Sequence, residues 1–354
     1  MEKTILDKII NIQINSNQTI LSALRQMDAH GKKLLVVFEN NKFISLLSVG
    51  DIQRTIIDNT DLNTPIRNIL RSNIMVAKAD ESFTHVKQRM LDFRIECMPV
   101  VDQNNDLIDV YFWEDAFPPE QKRIVQNLDL PVVIMAGGKG SRLKPLTNVL
   151  PKPLIPFGEK TILEDIMDRF IEVGCKQFFI SVNYKSEMIK HYFTSLVKTN
   201  YNISYFEEDK PLGTAGSLYL LKNKITKTFF VSNCDIIIDA DYGGLLKFHL
   251  ENHNELTIVS ALKQYPIPYG TIETGKNGKL IDLKEKPELT FQINTGMYIL
   301  EPHLLNEIPE NDFFHITHLI DKVSKRKGNV GVFPISEGSW KDIGDWAVYS
   351  KLLF

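Results

Sequence analysis

The sequence predicts an α/β protein with a doubly wound mixed sheet, preceded by a smaller α+β module. Three observations carry this expectation. From residue 130 onward, short apolar runs alternate with segments of helical periodicity, as in a sheet whose strands are joined by crossover helices. Before residue 118 the chain shows a weak internal repeat with an offset of 64 residues. Between the two, FPPEQKRIVQNLDLP (117–131) sets three prolines around a charged segment and reads as a linker. The expected organisation is a module over 1–118, a linker over 119–130 and a second domain over 131–354. A chain of 354 residues fits two domains well.

In the module, the first copy of the repeat runs through the helix-like TILSALRQMDAHG, the strands KLLVVFENN and FISLLS, then GDIQRTIID. The second runs through SFTHVKQRMLDFR, CMPVVDQNN, LIDVYF and WEDAF, and Asp51 and Asp115 hold the same place in each. In the second domain LPVVIMA (130–136) is a continuous apolar run, as expected of a central parallel strand. TILEDIMDRFIEVG (161–174) places its apolar residues on one helical face and ends at Gly174. QFFISVN reads as a strand, KSEMIKHYFTSLVK as a helix and NISYFEE as a strand. PLGTAGSLYLLK reads as a loop leading into a helix, and TFFVSNCD as another buried strand. ELTIVSALK follows, then a hairpin turning at Asn277-Gly278, then INTGMYIL, NVGVFPIS and SWKDIGDWAVYSKLL.

Apolar residues make up 43% of the chain, enough for a sizeable core. With 44 acidic against 41 basic residues, the net charge of −3 gives no global field for nucleic acid or a membrane surface. A phosphorylated substrate must therefore be held by local basic groups. MEKTILDKII lacks the basic and apolar regions of a signal peptide, and no window approaches a membrane span, so a cytoplasmic location is expected. Cys97, Cys175 and Cys234 are far apart and set in apolar contexts, as buried free thiols are.

The polar and glycine signals of the second domain fall at the carboxyl ends of expected strands, where open α/β sheets bind ligands. In MAGGKGSRLKPLT, Gly137, Gly138 and Gly140 allow close backbone approach and leave N–H groups for phosphate oxygens. Arg142 adds a planar cationic fork and Lys152 a point charge. The spacing is neither a Walker A loop nor a G-x-G-x-x-G fingerprint.

The run G-G-x-G-x-R-L-x-P-x-T with its downstream P-K-P resembles the sugar-1-phosphate nucleotidyltransferase family. KPLGTAGSL, FVSNCD, PYGTI, EKP, NTGMY and SWKDIG follow in family order, so the resemblance covers about residues 130–350. It implies a Rossmann-like doubly wound mixed sheet in which a sugar 1-phosphate attacks the α-phosphorus of an NTP and pyrophosphate leaves. By resemblance, Ala136, Gly137, Gly138, Gly140 and Ser141 cradle the triphosphate, and Pro211, Gly213 and Thr214 complete the nucleotide site. Arg142, Lys152 and Asp235 are the catalytic residues implied, and Asp235 with Asp342 would ligate Mg2+. Alternatively, Asp235 caps a strand end and Asp342 serves a turn. Gly270, Glu285, Lys286, Asn294 and Thr295 are the sugar side implied; Glu285-Lys286 also reads as a solvated hairpin pair. The sequence departs from the family at Cys234, where glycine is usual before the metal-binding aspartate.

Glu208 bears on the base. An ionised carboxylate only accepts hydrogen bonds, and among the bases guanine offers two adjacent donors, so GTP is favoured over UTP, CTP or ATP unless Glu208 faces solvent. The second domain is similar to mannose-1-phosphate and glucosamine-1-phosphate guanylyltransferases. Residues ~8–117 resemble a pair of CBS repeats, which implies an adenine nucleotide held by Ser48, Asp51 and Asp115, and favours a homodimer. Here too an alternative stands: the two aspartates cap helices. A nucleotide-binding sensor of the same fold with little turnover is the reading of a different class.

Overall fold

The computed structural model describes residues 8–93, 95–116, 127–196 and 200–353. The chain divides into two compact units, Met1–Ile124 and Val125–Phe354. Residues 119–126 of the expected linker lie outside the described residues.

The first unit repeats one small topology. β1 (Gln13–Asn15) leads to α1 (Ile20–His30), the hairpin β2 (Leu34–Glu39) and β3 (Lys42–Ser48), and α2 (Val49–Ile57). β4 (Ala77–Lys78), α3 (Phe83–Phe93), β5 (Cys97–Val101), β6 (Leu107–Phe112) and α4 (Trp113–Ala116) follow the same order. In both copies the first strand runs parallel to the second, and the second antiparallel to the third. Thr19 caps α1 through the Ser22 N–H, and Gly31 ends it in the left-handed conformation at φ 59°. The repeat seen in the sequence is thus a repeat of strand order and of parallel register, Gln13↔Val36 matching Ala77↔Val100, while the two hairpins differ in register by one residue.

The second unit is built on a seven-stranded sheet. Its strands are β7 (Pro131–Met135), β8 (Gln177–Val182), β9 (Asn202–Glu207), β10 (Phe229–Asn233), β12 (Leu256–Pro266), β15 (Glu288–Leu300) and β16 (Val330–Ile335). The spatial order is β9-β8-β7-β10-β15-β12-β16, and β15 runs antiparallel to both its neighbours. A short ribbon pairs β11 (Ile236–Ile238) with β17 (Trp340–Asp342), and a second pairs β13 (Thr271–Thr274) with β14 (Leu280–Lys284). The latter turns at Asn277 and Gly278, both at positive φ, as the Asn-Gly pair predicts.

Alternation along the strands builds two apolar layers. Val132, Ile134, Phe178, Ile180 and Phe230 face α5 (Ile162–Glu172), α6 (Ser186–Ser195) and α7 (Tyr242–Glu251). Val133, Phe179, Phe229 and Val231 face α8 (Ile316–Lys325) and the 3-10 helix Gly216–Leu221. The α-helix expected after LGTAG is this 3-10 helix: the Phe314 carbonyl takes the N–H groups of both Ala215 and Gly216, and the tight turn is fixed from outside. α5 opens with a capping box between Thr161 and Glu164, and α9 (Trp346–Leu353) closes the described chain.

Just before β12, Glu255 takes Arg326, the residue that ends α8, and His303 Nε2 at 2.6 Å. The Arg326 guanidinium, opposed by partial burial and aided by His303, pulls the Glu255 carboxyl down from 4.5 to about 2. The unfolded state therefore binds more protons between these values. The stabilisation is complete above about pH 4.5 and is lost as pH falls through about 2. Urea unfolding between pH 7 and pH 3 is expected to show wild type losing stability faster below pH 4.5 than Glu255→Gln.

Candidate active site

The site forms where the sheet changes direction. β7 and β10 are neighbours, yet the chain leaves β7 toward β8 and returns on the other side to make β10. The carboxyl ends of such a pair open a crevice. Residues 136–143 leave β7 into that crevice, and Asp235 lies two positions past the end of β10.

Gly140 stands at φ 64°, and a Cβ there would come to 2.8 Å from Thr147 Cγ2 and 3.0 Å from Lys152 Cβ. Glycine is what lets the loop turn this close to the segment carrying Lys152. Thr147 Oγ1 donates to the Gly140 carbonyl at 2.9 Å. The next turn, Ser141–Leu143, buries Leu143 and leaves Ser141 and Arg142 exposed. Lys152 is buried, and its ammonium forms an ion pair with Asp235 Oδ2. Arg142 Nη2 stands 3.7 Å from the same oxygen.

Asp342 reaches the site through the β11–β17 ribbon, in which it pairs with Ile236. The Ile343 N–H donates to the Asp235 carbonyl at 2.8 Å, which locks the two segments together. Gly344 closes the arrangement. A Cβ there would overlap Asp235 Oδ2 and lie 2.9 Å from Asp342 Oδ1 and 3.1 Å from Arg142 Nη2. Both carboxylates and the guanidinium therefore face one small space over Gly344.

This space belongs to a cavity of about 330 Å3 that joins Arg142, Asp235 and Asp342 to Thr214, Asn294 and Thr295. It is also lined by Asn233, His315 and Trp340, which the sequence reasoning missed. Gly344 was missed as well, although it stands inside the WKDIG block. Nothing local marks His315, which arrives from the segment before α8 and whose Nδ1 lies 3.3 Å from Thr214 Oγ1. Trp340 Nε1 is buried and has no hydrogen-bond partner among the described residues.

Thr295 spends its hydroxyl proton on the Val259 carbonyl at 2.8 Å, where the β12–β15 register shifts, so its side chain holds the bulge. Asn294 Oδ1 accepts the Gly296 N–H at 3.1 Å. Gly270 and Glu285 meet each other, with Glu285 Oε2 3.0 Å from the place of a Gly270 Cβ, but neither they nor Lys286 line the cavity. Glu208 is buried rather than turned to solvent. Its Oε1 accepts from Ser181 Oγ and lies 3.1 Å from the place of a Gly137 Cβ, and its Oε2 accepts the Leu212 N–H at 3.1 Å. Each oxygen keeps one further acceptor position. Gly138 and Pro211 are exposed and Gly213 is half-buried, but Ala136 is buried, so its side chain belongs to the core and only its backbone can face a ligand. Burial, only partly offset by Lys152, pushes the Cys234 thiol up to about 12, so it stays neutral beside Asp235.

In the first unit Ser48 and Asp51 form a capping box at the start of α2. Asp51 also pairs with Arg54 and Arg71. Burial would raise its carboxyl, but Arg71 and Ser48 outweigh burial and hold it below the usual range. The carboxylate expected to hold an adenine nucleotide is thus already engaged, beside a cavity of about 660 Å3 that Arg54 and Arg71 also line. The side chain of Asp115 lies outside the described residues.

The family described as Nucleotidyl transferase matches residues 131–353, nearly the whole second unit. The chain belongs to that family. The CBS domain family matches residues 66–115, the second copy of the repeat. A mannose-1-phosphate guanylyltransferase catalytic subunit beta from Drosophila melanogaster is 36% identical over 182 residues, 50% of this chain and 49% of that one. A mannose-1-phosphate guanyltransferase from Yarrowia lipolytica is 34% identical over 219 residues, 60% of each chain. The chain thus spans about half to three-fifths of the length of the curated relatives it matches. HddC from Yersinia pseudotuberculosis is similar in structure, with a TM-score of 0.50 and 26% identity over 63% of this chain and 97% of that one. HddC has also been solved complexed with GMP-PN.

Family membership gives the buried Lys152–Asp235 pair its chemical setting, and the pair itself can be tested. Removing one partner of a buried ion pair typically costs about 3–5 kcal/mol, because the other charge is left uncompensated. Asp235→Asn is expected to lose stability on that scale in urea unfolding. Adding Lys152→Met is expected to restore most of it, the mark of a coupled pair.

Proposed function

We propose that this protein transfers a nucleotidyl group from an NTP, GTP before others, to a sugar 1-phosphate. The products are a GDP-sugar of the mannose or glucosamine type and pyrophosphate. The observation that carries this reading is the convergence of Asp235, Asp342, Arg142 and Lys152 at the mouth of the β7–β10 crevice. Family membership sets the reaction class, and the named guanylyltransferase relatives support the base.

The donors fit Mg2+. Two carboxylate oxygens face one space over Gly344, and hard oxygens with room for substrate phosphates are what this ion takes. Asp235 and Asp342 would hold it. When bound, it would supply neutralisation of the charge on the reacting phosphates. The chain's own residues do the rest. The loop at Gly137–Gly140 offers backbone N–H groups to the triphosphate. Lys152, released from Asp235, holds the α-phosphate and the sugar phosphate together. Arg142, exposed and free to reach out, offsets charge on the departing pyrophosphate. Glu208, fixed by Ser181 and the Leu212 N–H, presents its remaining acceptor positions to the guanine edge. The amide of Asn294 is a donor for sugar hydroxyls. Gly270, Glu285 and Lys286, which the family resemblance puts on the sugar side, stand outside this cavity. With such substrates a cytoplasmic location follows.

Pyrophosphate release with Mg2+ across a grid of NTPs and sugar 1-phosphates tests the reading. GTP with mannose 1-phosphate or glucosamine 1-phosphate is expected to give the strongest signal, and Arg142→Ala to lower kcat by about 10²–10³-fold. Glu208→Gln is expected to weaken the preference for GTP. A dark grid with nucleotide still bound would favour the sensor.

For the first unit we infer an adenine nucleotide whose phosphates meet Arg54 and Arg71, since Asp51 is already taken. Calorimetric titration of AMP into the full chain is expected to give a binding heat that Arg71→Ala abolishes. Equal heat from both proteins would rule this placement out.

A further inference from the structure

The segment between Gly140 and Lys152 is an excursion. It contains a 3-10 turn, Ser141–Leu143, and one short α-helix, Leu146–Val149, and leaves the Val149 side chain 70% exposed, so little apolar packing anchors its tip. A helix end leaves its last carbonyls without intrahelical partners, and a cation there is favourable. Here the cation comes from outside the segment. Lys185 Nζ donates to the Asn148 carbonyl at 2.7 Å and to the Val149 carbonyl at 2.6 Å. The neighbouring Tyr184 hydroxyl donates to the Thr147 carbonyl at 3.2 Å. Three consecutive carbonyls are thus held by two consecutive side chains just past the end of β8.

Lys185 itself sits at φ 54° and ψ 38°, the left-handed conformation, which a residue with a Cβ adopts at a cost. The excursion is bound at its other face to the site. Thr147 donates to the Gly140 carbonyl, and its methyl group and Lys152 Cβ enclose Gly140. Lys152 in turn reaches Asp235.

We propose that Tyr184 and Lys185 are positioning residues: they latch residues 147–149 to the rigid end of β8 and so set where Gly140 and Lys152 stand. The inference rests on the nucleotidyl-transfer reading for its kinetic consequence, but not for its structural one. A small misplacement of a catalytic group costs rate more than affinity. Lys185→Met keeps length and loses the charge-assisted bonds; Lys185→Arg restores two donors.

The test uses the full-length chain. Hydrogen–deuterium exchange is expected to quicken in Lys185→Met over residues 144–155 and to stay unchanged over α5. The same variant is expected to lose about tenfold in kcat, with KM for either substrate changed less than about twofold, and Lys185→Arg to recover most of the loss. Unchanged exchange over 144–155 would overturn the latch, as would exchange that quickens across the whole unit. A loss confined to KM, or one that Lys185→Arg fails to repair, would also overturn it. If wild type releases no pyrophosphate anywhere in the grid, the activity reading fails, and the exchange result alone decides the latch.

Discussion

The second unit depends on one buried ion pair, Lys152 with Asp235. Its partners are 83 positions apart and sit on different structures, one on a segment beyond the glycine loop and one past the end of a central strand. The pair gives each charge a counterion that water cannot supply at this depth. It also ties the loop to the sheet, because Lys152 Cβ helps enclose Gly140. Substrate and cation would have to compete with an interaction that already satisfies both residues.

Everything else at the site is arranged around those two charges. The β11–β17 ribbon exists to bring a second carboxylate beside Asp235, and Gly344 leaves the gap into which both point. The thiol of Cys234, in the place where the family usually has glycine, is buried and neutral, so the substitution adds no charge to the set. On the other side of the crevice the Phe314 carbonyl fixes the Gly213–Gly216 turn, so this turn and the segment with His315 are one structure.

Much of this was legible in the sequence. The β7, β8 and β10 strands show as continuous apolar runs because both their faces are covered, and α5 shows its cap, its stripe and its terminating glycine. The glycine loop, Arg142, Lys152, Asp235 and Asp342 stand in ordered blocks whose chemistry can be named. What stayed hidden depends on contacts between distant segments. His315 carries no local signal; Asn233 and Trp340 stand inside the FVSNCD and SWKDIG blocks, but only the sheet order and the β11–β17 register bring them to one cavity. The hydroxyl of Thr295 could not be assigned because a bulge decides where it points. Ser48 and Asp51 show the opposite difficulty. Their spacing suits a nucleotide contact and a helix cap equally, and the structure shows the cap together with Arg54 from the same helix and Arg71 from elsewhere.

The three cysteines of this chain are all buried, and burial raises each thiol well above neutrality. To a thiol-directed dye the folded protein is therefore almost blank. The tip of the excursion offers an open side chain at Val149. A single cysteine there would carry a fluorophore on the excursion without competition from the native thiols, and the chain as it stands would serve as its own background.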